Sequence, residues 1–258
     1  AGKQDRMSNY YGVDNHKIFQ MNNKGRDFFI GDLHGCLKIL LRALKKIEFN
    51  FETDRLFCTG DTIDRGDESS DCLRLSENGW FFSVLGNHEA MLLDAMDNLY
   101  KKEIWYRNGG QWWNEINNSE RFFLQDVVLK NFCISMTVKT IIGDVGIIHS
   151  GYPFNEWPLR NDEELIKSDL KNILWDREIL KESQAIITPG VSLIISGHTP
   201  QQTPVLLGNH LFIDTGCGHL VNENIHNPRL TLCEIVSSTN IIFHEVDLKS
   251  YSVKHFSI

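Results

Sequence analysis

Residues 26–89 read RDFFIGDLHGCLKILLRALKKIEFNFETDRLFCTGDTIDRGDESSDCLRLSENGWFFSVLGNHE. Three times in this stretch a short apolar run ends on a glycine and a polar cluster. Arg26–Ile30 ends at Gly31-Asp32, Arg55–Thr59 at Gly60-Asp61, and Trp80–Leu85 at Gly86-Asn87. Runs of this length read as buried strands. Helices are expected between them: Leu37, Leu40, Leu41, Leu44 and Ile47 fall on one helical face, a short helix lies near 69–77, and apolar residues at 91, 92, 95, 96 and 99 place another over His88–Leu99. Strand, loop and helix in repetition predict an α/β fold with strands feeding crossover helices.

Outward from this stretch, residues 100–130 read as helix and loop broken by Gly109-Gly110. Ile134–Ile142 and Val145–His149 read as a hairpin turning at Gly143-Asp144. A helix near 162–174 follows. Strands are then expected at Leu193–Ser196, Val205–Leu207, Leu211–Asp214, Leu230–Val236 and Ile241–Val246. A strand-rich second half beside an α/β first half predicts an α+β sandwich, two mixed β-sheets packed face to face and flanked by helices. One catalytic domain over residues 26–250 is expected, with a loose polar arm at 1–25 and a short tail at 251–258.

The chain has 258 residues, is 41% hydrophobic, and carries a net charge of −8. It can bury a core without staples. The acidic balance argues against a nucleic-acid partner, because no basic excess exists to neutralise a phosphate backbone. Anionic small groups could still bind where cations concentrate. Six cysteines show no C-x-x-C spacing, which suits reduced thiols and a cytoplasmic location. No apolar run reaches the length of a membrane span, and the N-terminus shows no export pattern.

Polar clusters recur where apolar strands end: GDLHG (31–35), GDTIDRG (60–66), GNHE (86–89), HSG (149–151) and SGHT (196–199). Ligands of open α/β sheets bind at such strand ends. A lone Gly-Asp is usually a turn, and a lone buried histidine usually a satisfied core group. Five such clusters, each behind an apolar strand, serve no core purpose. Their side chains are carboxylates, an amide and imidazoles, a mixture that suits manganese, iron or zinc better than calcium or magnesium. Their number exceeds what a single catalytic ion takes and fits two ions sharing a carboxylate, a clamp for in-line displacement.

With HSGYP (149–153), NGGQWW (108–113), ILWDRE (173–178) and IDTG (213–216), the set resembles the phosphoprotein phosphatase family of metallophosphoesterases, in particular its bacteriophage and bacterial members. The resemblance spans roughly residues 27–236. It implies a phosphomonoester hydrolase acting on phosphoserine and phosphothreonine of proteins through water activated by two divalent ions, manganese first with iron or zinc as alternatives. It implies Asp32 and His34 on the first metal, Asp61 bridging, and Asn87, His149 and His198 on the second. His88 would be the general acid, oriented by Asp64. Arg65, Arg177 and Asn87 would contact the phosphate. Elementary chemistry agrees, since a serine alkoxide leaves poorly without an acid, and imidazole titrates nearest neutrality. Arginine's planar fork matches two phosphate oxygens.

Some positions depart from the pattern. His149-Ser150-Gly151 stands where the subgroup often has His-Ala-Asp and other relatives His-Gly-Gly; the histidine is kept, and its changed neighbours open the question of loop shape and substrate access. His219 is an added histidine, read as a bystander. Glu89 is read as supporting the loop and the helix start. Trp105, Tyr106, Trp112 and Trp113 are read as core packing ahead of a docking surface. Cys36 and Arg42 have the C-x5-R spacing of thiolate phosphatases, but the residues between them form an amphipathic helix in place of a phosphate cradle. Hydrolysis of dinucleoside polyphosphates or phosphodiesters on the same core is the alternative enzyme reading, and an inactive phosphopeptide-binding protein is the alternative from another class.

Overall fold

The computed structural model describes residues 9–258. Strands are β1 (Asp14–Phe19), β2 (Asp27–Ile30), β3 (Arg55–Cys58), β4 (Phe81–Val84), β5 (Phe132–Thr140), β6 (Gly143–Ile148), β7 (Leu193–Ser196), β8 (Val205–Leu207), β9 (His210–Phe212), β10 (Leu230–Ile235), β11 (Asn240–Val246) and β12 (Tyr251–Ser257). Helices are α1 (Leu37–Lys46), α2 (Ser69–Arg74), α3 (Asn87–Asp94), α4 (Leu99–Arg107), α5 (Asn118–Asn131), α6 (Lys167–Trp175) and α7 (Glu178–Glu182).

The expected mixed α/β layers are present, but the strands form one continuous, curled sheet in the order β12-β11-β10-β2-β3-β4-β5-β6-β7-β9-β8. β2, β3, β4 and β5 run parallel, and β6 turns back against β5. Only two residue pairs join β4 to β5. Side-chain alternation explains the layers. Phe28 and Ile30 pack with Leu40 and Leu44 of α1 on one face, while Phe29 points the other way. Phe29 and Phe57 there share a cluster with Met136, Ile147, Ile195 and Leu211 from the far half of the sheet. Leu41, placed by periodicity on the buried face of α1, is 49% exposed.

Three boundaries differ from expectation. The loose arm at 1–25 contains β1, which pairs in parallel with β5 from Asp14↔Cys133 to Phe19↔Val138; residues 1–8 lie outside the described residues. β1 escapes a hydrophobic reading because it is buried through polar pairing. His16 sits 2.7 Å from both Ser135 Oγ and Thr137 Oγ1, and Asn15 donates to the carbonyls of Arg160 and Glu163. The tail at 251–258 is β12, an edge strand held by its ladder to β11 with few buried side chains. The helix read over His88–Leu99 ends at Asp94, whose carboxylate accepts from Tyr11, and Asn98 caps a new helix by accepting from Lys101 N–H.

Candidate metal centre and active site

Six strand tips deliver the site. Asp32 and His34 follow β2, Asp61 follows β3, Asn87 and His88 open α3 after β4, His149 follows β6, His198 follows β7, and Asp214 follows β9. In a flat sheet the antiparallel step from β5 to β6 would send half of these tips to the opposite edge. The curl returns them. His149 Nδ1 bonds to Thr59 O at 2.6 Å and His198 N–H donates to Asp32 Oδ2 at 3.1 Å, stitching the two halves together.

Backbone strain is concentrated here. Among the described residues, seven non-glycine residues have positive φ, and five of them are His34, Asp61, Asp64, Arg65 and His198. Such conformations cost of order 1 kcal/mol each and persist where surroundings over-determine them. Glu89 is one of those surroundings. Fully buried, it accepts from Gly86, Asp61 and Thr62 N–H at 2.8 Å each, so it caps α3 and clamps the Asp61 turn together. Glycine is required at two contacts. A Cβ on Gly86 would collide with Asp61 Oδ1, and one on Gly197 with Asp32 Oδ1.

The structure gathers Asp32, His34, Asp61, Asn87, His149 and His198 in one buried place. Asp61, His149 and His198 form one potential ligand group, and His34, Asp61 and His88 another, with Asp61 common to both. His149 Nε2 lies 3.3 Å from Asp61 Oδ2, 2.8 Å from Asn87 Oδ1 and 3.2 Å from His198 Nδ1. His34 Nδ1 bonds to Ile63 O, which turns Nε2 inward, 3.8 Å from Asp61 Oδ2 and 4.0 Å from Asp32 Oδ2. A ring nitrogen fixed by a backbone carbonyl is how ligating histidines are commonly oriented. Asp32 stands slightly back, its oxygens accepting from the Thr59 hydroxyl and His198 N–H.

The donor set fits divalent cations. Asp32, Asp61 and Asp214 are three buried carboxylates packed together, and Asp214 Oδ2 has no hydrogen-bond partner. Burial first, then Asp214 and Asp61, push the Asp32 carboxyl well above its ordinary range. Burial opposes ionisation of Asp61 too, but His149, His88 and His34 hold its carboxyl well below. Burial and the neighbouring His88 lower His34, and burial with His149 lowers His198 to about 3, so both imidazoles keep a free lone pair. An anionic pocket without a buried lysine or arginine calls for cations.

His88 stands beside this group. Its Nε2 lies 4.0 Å from Asp61 Oδ2, and its Nδ1 bonds to Asp64 Oδ2 at 2.7 Å. Burial opposes its protonation, but Asp61 and Asp64 prevail and raise its pKa above the ordinary imidazole value. Asp64 is fully buried and also receives the indole N–H of Trp105 at Oδ2 and of Trp112 at Oδ1, both at 2.7 Å. The tryptophans read as core packing therefore hold the partner of His88, a role no periodicity reveals. Arg65 and Arg177 are exposed at the mouth and flank His219. Read as a bystander, His219 sits with its ring edge on His34 at 5.5 Å and lines a cleft of about 500 Å³ with Arg177, Thr199 and Gln201.

The Ser150 departure has a structural use. Its hydroxyl donates to Asp176 O and its N–H to Ile173 O, tying the His149 loop to the segment that carries Arg177. Asp214 was missed because IDTG lacks the glycine-aspartate form of the other tips. Cys36 and Arg42 form no phosphate site. The thiol faces His34 O, Arg42 bonds to the carbonyls of Asp247 and Ser250, and α1 runs between them.

Residues 28–202 match the calcineurin-like phosphoesterase family. The chain belongs to that family. It is a phosphoesterase, and it is 35% identical over 192 residues to serine/threonine-protein phosphatase 2 of Salmonella typhimurium, covering 72% of this chain and 85% of that protein. The symmetrical bis(5'-nucleosyl)-tetraphosphatase of Actinobacillus succinogenes is 44% identical over 68 residues, 26% of this chain and 25% of that protein. The fold is shared with a solved structure described as a putative diadenosine tetraphosphatase, with a TM-score of 0.61 at 18% identity, over 95% of this chain and 98% of that one. Family membership implies divalent metal ions, and the groups around Asp61 are candidate residues to hold them. Among the described residues, no helix is long and apolar enough to cross a membrane.

Proposed function

We propose that this phosphoesterase removes phosphate from phosphoserine and phosphothreonine side chains of proteins in the cytoplasm, with two divalent ions, manganese first. Asp32, His34 and Asp61 would hold one ion, and Asp61, Asn87, His149 and His198 the other. Bound there, the ions supply an acidified water and positive charge for the phosphate oxygens. The chain's own residues supply the rest. Arg65 and Arg177 bind and orient the phosphate at the mouth, joined by the Asn87 amide. His88 carries a proton on Nε2 and delivers it to the departing alkoxide oxygen. Asp64 holds the opposite nitrogen and keeps the ring in that tautomer.

The observation that carries this reading is the His88–Asp64 pair, buried beside Asp61 and opening toward two unburied arginines. A poor alkoxide leaving group needs such an acid. The similarity to a named serine/threonine phosphatase over most of both chains supports the choice of substrate. Hydrolysis of a dinucleoside tetraphosphate is the second reading, favoured by the 44% identity over one quarter of the chain. Metal-stripped protein, with Mn, Fe, Zn, Mg and Ca restored singly, should be assayed in parallel on a phosphoserine peptide and on a bis(5'-nucleosyl) tetraphosphate. Greater kcat/KM on the peptide is expected with manganese. Turnover confined to the tetraphosphate would reject the protein-phosphatase reading.

A further inference from the structure

A second depression opens on the far side of Trp175 from the metal centre. It is a groove of about 500 Å³ whose floor is Leu170, Leu174 and Trp175 of α6 with Tyr11 opposite. Trp175 is 42% exposed and its ring stands edge-on to His198 at 6.1 Å, so the groove and the site share this wall. The charged lining is Lys101, Lys167 and Lys171 with a single carboxylate, Asp94. Lys101 is drawn to Asp94 at 3.7 Å, but Lys167 and Lys171 make no ion pair among the described residues. Lys167, Lys171 and Trp175 are spaced four apart on α6, so they form one stripe that ends at the metal centre.

We infer that this groove takes the acidic flank of the phosphoprotein substrate, an extended segment with carboxylates on the lysine stripe and an apolar side chain on the Leu170–Trp175 floor. The inference rests on the protein-phosphatase reading and deepens it. Charge complementarity selects the occupant. The protein as a whole carries −8 and repels acidic segments, yet this groove is lined by three lysines against one aspartate, Asp94. Residues 1–8, AGKQDRMS, which precede the groove wall, carry Lys3 and Arg6 against Asp5 and do not complement the lysines.

The stripe also sets a register. At roughly 1.5 Å per helical residue, Lys171 lies about 6 Å and Lys167 about 12 Å beyond Trp175. With the 6.1 Å from His198 to Trp175 added, and roughly 3.3 Å per extended residue, the carboxylates fall about three to six positions from the phosphorylated residue.

The test uses the full, metal-loaded chain and a Lys167→Glu/Lys171→Glu variant. Substrates are para-nitrophenyl phosphate and phosphoserine peptides bearing Glu or Ala three to six positions to either side. Wild type should prefer one Glu peptide over its Ala counterpart by about 2- to 30-fold in kcat/KM, expressed in KM, as two exposed ion pairs allow. The variant should lose that preference and keep wild-type turnover of para-nitrophenyl phosphate. Raised salt should erase the preference in wild type. An equal Glu/Ala ratio in both proteins overturns the groove while leaving the protein-phosphatase reading intact. Peptides that are never hydrolysed, when the tetraphosphate is, overturn both. A preference that emerges only after removal of residues 1–8 assigns the groove to the chain's own N-terminal segment and overturns the inference.

Discussion

Replacing Asp64 by Asn isolates the contribution of one buried charge to His88. The carboxylate receives three N–H groups at 2.7 Å, from His88 and Trp105 on Oδ2 and from Trp112 on Oδ1. An amide keeps one oxygen and presents its NH2 to a donor, so one bond becomes a donor–donor contact. Losing it should cost about 1–3 kcal/mol of stability. Losing the charge matters more for activity. Asp61 and Asp64 together hold the proton on His88 against burial, and without Asp64 burial gains and its pKa falls. A charge-assisted hydrogen bond of about 1.5–3 kcal/mol converts to about 1–2 pH units. A general acid acts while protonated, so activity is lost as pH rises through its pKa. The alkaline limb of the kcat profile should therefore move down by about 1–2 units, with a loss of about 10- to 100-fold on the alkaline side of the wild-type limb and little loss on the acid side. Trp112→Phe should act in the opposite sense. It removes a donor that disperses the Asp64 charge, so His88 keeps its proton at least as tightly while stability falls by about 1–3 kcal/mol. Full pH profiles of kcat on a phosphoserine peptide decide the matter. An unmoved limb in Asp64→Asn, or a downward move in Trp112→Phe, would refute the argument and leave Asp64 as a packing group.

His88→Asn should reduce kcat about 10²- to 10⁴-fold with metal content unchanged. Because His88 also groups with His34 and Asp61, loss of one metal equivalent by elemental analysis would make it a ligand instead of the acid. Asp61→Asn should lower metal occupancy, and a fully loaded variant would contradict the bridging position. Stability should fall in acid through two histidines outside the site. Burial lowers His16 and His210 from 6.5 to about 4, so the unfolded chain takes up a proton near pH 6.5 that the folded chain refuses until about pH 4. Their contribution is complete above about pH 6.5 and is lost as pH drops toward 4, by about 3 kcal/mol each. Urea unfolding at pH 7 and 4.5 should show this slope, and it should be shallower in His16→Gln.

The sequence by itself determined which chemistry is present. An apolar run followed by glycine and a side chain able to ligate metal is a local pattern, so Asp32, His34, Asp61, Asn87, His149 and His198 stand out at strand ends as candidates, and the α/β character is legible in the same way. Polar strands were not legible in the same way. β1 is buried through His16, Asn15 and their partners, and β12 is fixed by its ladder, so neither shows apolar alternation. Tertiary structure alone decided the rest. The antiparallel turn from β5 to β6 would separate the two halves of the site, and the curl of the sheet joins them. Asp214 beside Asp32, two indoles on Asp64, His219 against His34 and Trp175 against His198 all depend on chain segments tens of residues apart. Spacing along the chain carries no record of such contacts, because they are fixed by how layers pack and not by how neighbouring residues fold.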